Sequence, residues 1–240
     1  MKKNTKKKVF TLMLVIMLLS IAIVGGSLAW FTAEDQVTNT FTVGSIKIQQ
    51  NEWDQYGSPF QQDQVMMPVV NMNNPSADQN YIHKVVTVSN TGDNPAYVRT
   101  FIAVDNRIAE YVYLDLNLQS DGWYRDAEHD GDSGDYKVLA FTCSKELNKG
   151  ETTATLLKGV YLDARVDVQV NPESNNREFC VWDDATKEYH FTKYAVEDAE
   201  HTTYPVKVLV ATQAVQSQGF ASAAEALDAA FENRLPDFAG

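Results

Sequence analysis

Residues 81–104 read YIHKVVTVSNTGDNPAYVRTFIAV. Residues 81–89 and 96–104 are runs of strand-forming side chains. The NTGDNP between them offers asparagine and glycine for positive φ, and Pro95 keeps the chain out of helix. The stretch predicts a β-hairpin. Further strands are expected at 111–118, 136–142, 153–157, 165–170, 178–182 and 205–215, separated by Asp/Gly, Asn/Lys/Gly and Asn/Pro turns. Such spacing with no alternating helix indicates an all-β protein, an antiparallel β-sandwich. One helix is expected at about 220–233. Ser222 and Glu225 form a capping box there, and Phe220, Ala223, Ala224, Leu227, Ala230 and Phe231 recur at helical spacing. Its expected role is to cover an edge or end of the sandwich.

Toward the N-terminus, residues 36–43 alternate. Val37, Phe41 and Val43 fall on one face and Thr38, Thr40 and Thr42 on the other. Gly44 shifts the phase, since Ile46 and Ile48 continue the apolar set at even positions, as a bulge or bend would. Residues 51–80, rich in Gln, Asn and Pro, read as a long loop with one short strand at MMPVV. Before all of this, residues 1–8 carry five lysines and no acid, and residues 9–24 carry no charge. This is the pattern of a signal peptide, expected as a helix over residues 1–29, with Ser27-Leu28-Ala29 as a small-x-small cleavage site before Trp30. Residues 30–240 are then one domain.

The chain carries 20 basic and 32 acidic residues. Five of the basic groups lie in residues 1–29, so 15 remain against 32 acids after cleavage, a net charge of −17. A surface of that sign repels phosphate backbones and anionic headgroups. Nucleic-acid binding is not expected, and membrane contact is expected only through the leader before cleavage.

Residues 29–49, AWFTAEDQVTNTFTVGSIKIQ, resemble the leader-and-first-strand signature of Gram-positive proteins processed by the signal peptidase SipW, the group that holds the TasA and camelysin (CalY) proteins of the biofilm matrix. Residues 86–100 and 208–231 are similar to members of the same group, whereas residues 106–207 match no pattern of it. The resemblance implies a jelly-roll sandwich, export with the help of a SipW-type signal peptidase, and a secreted or cell-surface location. It also implies a structural role in the extracellular matrix, with self-association into fibres. Val37, Phe41 and Val43 are then the side chains of a donor strand, freed by cleavage, that adds to a neighbour's sheet edge. The alternatives are a camelysin-type secreted metalloprotease and a non-polymerising surface adhesin or ligand-binding module.

Residue chemistry adds little to that reading, and no cofactor is expected apart from a candidate calcium ion. Gly131-Asp132-Ser133-Gly134 imitates a serine-protease nucleophile segment beside His129, but a triad needs its histidine held by a separate buried acid, and all these groups share one loop. No catalytic residue is assigned. Asp126, Glu128, Asp130 and Asp132 place acids as a calcium loop does, although Lys137 stands where an EF-hand needs glutamate. His83, His129, His190 and His201 are scattered, with no His-Glu-x-x-His helix to hold zinc. Trp30, Phe31, Trp53, Tyr56, Trp123, Tyr124 and Trp182 could line a carbohydrate face or serve in packing. Cys143 and Cys180 either form a disulfide, which export permits, or remain buried thiols on neighbouring strands. The secreted form is expected to begin at Trp30. Intact mass checks this, and a product retaining residues 9–24 contradicts it.

Overall fold

The computed structural model describes residues 32–36, 39–41, 46–61, 64–118, 122–195 and 206–238. Its secondary structure is mostly antiparallel β-sheet with one α-helix near the C-terminus. In chain order the strands are β1 (Thr32–Gln36), β2 (Asn39–Phe41), β3 (Ile48–Trp53), β4 (Ile82–Asn90), β5 (Ala96–Asp105), β6 (Val112–Leu116) and β7 (Trp123–Arg125). They continue as β8 (Gly131–Ser133), β9 (Tyr136–Leu147), β10 (Leu157–Leu162), β11 (Val166–Val170), β12 (Arg177–Asp183), β13 (Glu188–Ala195) and β14 (Val208–Gln216). The helix α1 spans Ala223–Phe231.

Among the described residues the strands form three sheets. A seven-stranded sheet runs β2-β1-β14-β5-β9-β7, with β8 also on β9; a four-stranded sheet runs β3-β4-β10-β6; and β11-β12-β13 form the third. In β4, Ile82, Lys84, Val86, Val88 and Asn90 are buried while His83, Val85, Thr87 and Ser89 are half-buried, the alternation of a sheet with one face inward. One buried cluster takes Val86, Val88 and Leu157 from the four-stranded sheet, Val98, Ile102 and Val210 from the seven-stranded sheet, and Phe179 from the third.

The expected hairpin is not formed. Its two strands exist, but β4 pairs with β3 and β10, whereas β5 pairs with β14 and β9. The NTGDNP link therefore carries the chain from one sheet to another. Asn90 anchors it: Nδ2 donates to the carbonyls of Asn94 (2.8 Å) and Leu147 (2.9 Å), and Oδ1 accepts from the Gly92 amide at 2.9 Å. The amides of Thr91 and Gly92 both donate to the Lys47 carbonyl at 2.8 Å. With the link's polar groups bonded to β9 and to the residue before β3, the strands cannot fold onto each other.

Other expectations change in detail. The run 36–43 is not one strand, because Gln36 at the end of β1 is paired with Asn39 at the start of β2. Gly44 and the bend expected there lie outside the described residues. At 153–157 the strand begins only at Leu157. MMPVV contributes a single parallel bridge, Pro68 to Leu162, in place of a strand. β7, β8 and β13 were not expected, the first two being three residues long and the last largely polar.

The helix starts as the capping box predicts, with the Glu225 amide donating to Ser222 Oγ at 3.2 Å. The Glu225 carboxylate reaches back to the amide of Ala221 at 2.9 Å. Ala223, Ala226, Leu227 and Phe231 are buried against Val215 of β14 and Tyr97 of β5. The tail that follows brings Leu235 and Phe238 onto Phe101, Ala103, Val138 and Ala140. Helix and tail thus cover the second face of the seven-stranded sheet, which is why β5 and β14 are buried almost throughout. Leu227 is 0 % exposed, so Leu227→Ala should cost on the order of 2–5 kcal/mol. Thermal melts of the variant and parent check the value, and an unchanged melting temperature contradicts the packing.

Candidate assembly edge and the polar latch beneath the helix

β14 is the strand around which the candidate site is built. On one side it pairs with β5 through nine residue pairs, Val208↔Val104 to Gln216↔Ala96. On the other it receives β1 through five, Thr32↔Val215 to Gln36↔Ala211. The next residue of β14, Val210, gives its carbonyl to Gln50 Nε2 at 3.2 Å. β2 in turn pairs with β1, placing Phe41 opposite Glu34, and forms the sheet's edge on that side among the described residues. Of the expected donor side chains, Phe41 belongs to β2, while Val37 and Val43 lie outside the described residues, as do Ser27, Ala29 and Trp30.

The other face of this sheet carries a buried polar network. Arg99 of β5 is 0 % exposed. Its Nε donates to Asp126 Oδ2 at 2.9 Å and to Thr142 Oγ1 at 3.1 Å, and its Nη2 donates to Asp228 Oδ1 of α1 at 2.7 Å. His129 closes the ring, with Nδ1 at 2.8 Å from Asp126 Oδ1 and Nε2 at 3.1 Å from Asp228 Oδ1. Burial alone would push the Asp126 carboxyl up, but the Thr142 hydroxyl, His129 and Arg99 together hold it below its ordinary value. The network latches the helix to the sheet. Sequence could locate its loop members but not Arg99 or Asp228, whose roles depend on α1 docking over β5.

This arrangement disperses the candidate calcium ligands. Asp126 is engaged as described. Asp130 is held by both Nη atoms of Arg125 and by the Ala140 amide at 2.9 Å, while Glu128 and Asp132 are exposed. Among the described residues no group of three or more His, Cys, Asp or Glu side chains could hold a metal ion. Ser133 does not face His129; its hydroxyl lies 3.4 Å from the Pro236 carbonyl and accepts the Phe238 amide at 3.2 Å. His83 lies on β4 and His190 on β13, and His201 is outside the described residues.

Cys143 and Cys180 are separate buried thiols on β9 and β12, in different sheets, so they form no disulfide and are not neighbours. Burial raises both, Cys180 to about 11, which keeps them protonated and unreactive.

Of the two readings of the aromatic side chains, the described residues favour packing over a carbohydrate face. Trp123 is buried with Nε1 donating to the Ala154 carbonyl at 2.9 Å, Trp182 packs edge-on to Tyr189, and Tyr56 stands alone at 82 % exposure. Trp30 and Phe31 lie outside the described residues. A tyrosine ladder that the sequence did not suggest is present instead. Tyr81 and Tyr113 stack on either side of Tyr161, at 6.1 and 5.3 Å between centroids. Gly159 makes room for it, since a Cβ there would sit 2.4 Å from the Tyr81 ring.

No family model, no curated protein and no solved structure matches the chain.

Breaking the latch should be costly, because Asp126→Asn takes from the buried Arg99 its buried counter-charge and leaves it the exposed Asp228. Asp126→Asn is expected to lose about 3–5 kcal/mol at neutral pH. A depressed carboxylate contributes stability above its unfolded value, near 3.9, and loses it as pH falls through the lower folded value. The gap between variant and parent should therefore narrow below about pH 4. Denaturant melts across pH check this, and a gap that stays constant with pH contradicts it.

Proposed function

We propose that the chain is a secreted structural protein of the cell surface or biofilm matrix, allied to the SipW-dependent TasA and camelysin group that its N-terminal motif resembles. In this reading the leader, residues 1–29, directs export and is removed by a SipW-type signal peptidase. The mature body is a jelly-roll-type β-sandwich, a reading supported by the buried cluster common to the three sheets. Mature chains then assemble into fibres by exchanging their N-terminal strand.

The observation that carries the proposal is the five-residue β1–β14 ladder. β1 begins three residues after Ala29, and it meets β14 through a ladder of only five residue pairs. The same ladder can be made within one chain or between two, because antiparallel pairing depends on register and not on which chain supplies the strand. Made between chains, head to tail, it does not close and so propagates. The free edge of β14 drives the exchange, since unpaired N–H and C=O groups in a nearly buried strand are costly. The acidic surface keeps unassembled copies soluble.

Mature protein lacking residues 30–38 is expected to stay folded and fail to form filaments, and a peptide of residues 30–43 in excess should cap growth of the intact protein. Negative-stain electron microscopy reads both. Filaments of normal length from the truncated protein rule the mechanism out.

A further inference from the structure

A second buried charge pair lies inside the four-stranded sheet and plays no part in the assembly edge. Lys84 on β4 is 1 % exposed, and its ammonium contacts Glu52 Oε2 on β3, a side chain 8 % exposed. Glu52 is paired with Val86, so Lys84, two residues further along β4, projects from the same face within reach. Phe60 closes the pocket with its ring centroid 4.2 Å from Lys84 Nζ. The other carboxylate oxygen, Glu52 Oε1, accepts from Gln50 Nε2 at 2.9 Å. Gln50 is itself fixed by β14, through the Val210 carbonyl and through Thr212 Oγ1, which donates to Gln50 Oε1 at 2.8 Å.

We propose that Lys84 and Glu52 condense into a side-chain amide that joins β3 to β4 covalently. Desolvation lowers the proton affinity of Lys84 more than the neighbouring carboxylate raises it, which favours the neutral amine that the reaction needs. In the dry pocket the ammonium passes a proton to Oε2, giving amine and carboxylic acid. The Nζ lone pair attacks Glu52 Cδ, the new C–N bond forms, and negative charge collects on Oε1, where the Gln50 amide donates to it. Oε2 takes a second proton from nitrogen and leaves as water, breaking the Cδ–Oε2 bond. No oxidant or further reactant enters. Well-oriented intramolecular reactions reach effective molarities of about 10⁵–10⁸ M, which is the advantage that holding the two groups in contact offers.

Intact mass spectrometry of the full chain, unfolded in guanidinium, tests the proposal. The expected chain is lighter than its sequence by one water, about 18 Da. Tryptic digestion should give one branched peptide joining the segments around Glu52 and Lys84, with no cleavage after Lys84. Lys84→Met should restore the full mass, and Gln50→Leu, which keeps both reacting groups, should leave most of the chain uncondensed. The sequence mass with normal cleavage after Lys84 in the parent protein overturns the proposal, whether or not the variants fold. So does a water loss that fragmentation maps to an aspartate elsewhere.

Discussion

The structure is organised around the pairing of β14, along its whole length with β5 and over five residues with β1. The strand is buried along eight of its nine residues, including Thr212, Gln213 and Gln216, so water cannot satisfy its backbone and neighbouring strands must. β5 supplies one edge along the whole length. The other edge is taken by β1, Thr32–Gln36, with Gln50 bonding the Val210 carbonyl where the β1 ladder stops. A protein whose central sheet is completed by a terminal strand can complete it with another copy's strand. That is the physical basis for reading the chain as an assembling protein.

The remainder of the molecule keeps this edge rigid. Helix and C-terminal tail bury the sheet's outer face through Leu227, Phe231, Leu235 and Phe238. The Arg99–Asp126–His129–Asp228 ring fixes α1, and its Arg99–carboxylate hydrogen bonds join charged groups, which makes them shorter and stronger than neutral ones. On the inner side, Thr100 and Thr212 hydroxyls lie 3.0 Å apart and lead to Gln50, so β5, β14 and β3 are tied across the two sheets. The proposed strand exchange needs a scaffold that holds when β1 leaves, and these contacts are the ones that would hold it.

Much of the fold was legible because burial imposes period two on strands and 3.6 on the helix. Ile82–Asn90 alternates buried and half-buried positions, and Ser222 with Glu225 marks the start of α1. Strand partners were not legible. NTGDNP has hairpin chemistry, but its polar groups bond to Lys47 and Leu147, residues distant in sequence, and the strands it joins part into separate sheets. The same limit hid the latch and the Lys84–Glu52 pair. Arg99, Glu52 and Lys84 look like ordinary surface charges until packing buries them, and Asp228, itself exposed, meets its partners only once α1 docks. The acidic run at 126–132 looked like one ligand set, yet it divides between Arg99 and Arg125 once β9 fixes the loop. Val37 and Val43 remain a sequence reading of the donor strand, beside a β1 whose register on β14 is defined.

Ala33 faces Ala214 in the β1–β14 register, which allows the route of the N-terminal strand to be read directly. Chains bearing only Ala33→Cys are mixed with chains bearing only Ala214→Cys and oxidised before and after assembly, the native thiols being buried. Strand exchange predicts disulfide-linked dimers of the two chain types in filaments and none in the monomer fraction. Filaments without mixed dimers, from a preparation in which the double variant closes its disulfide within one chain, would contradict it.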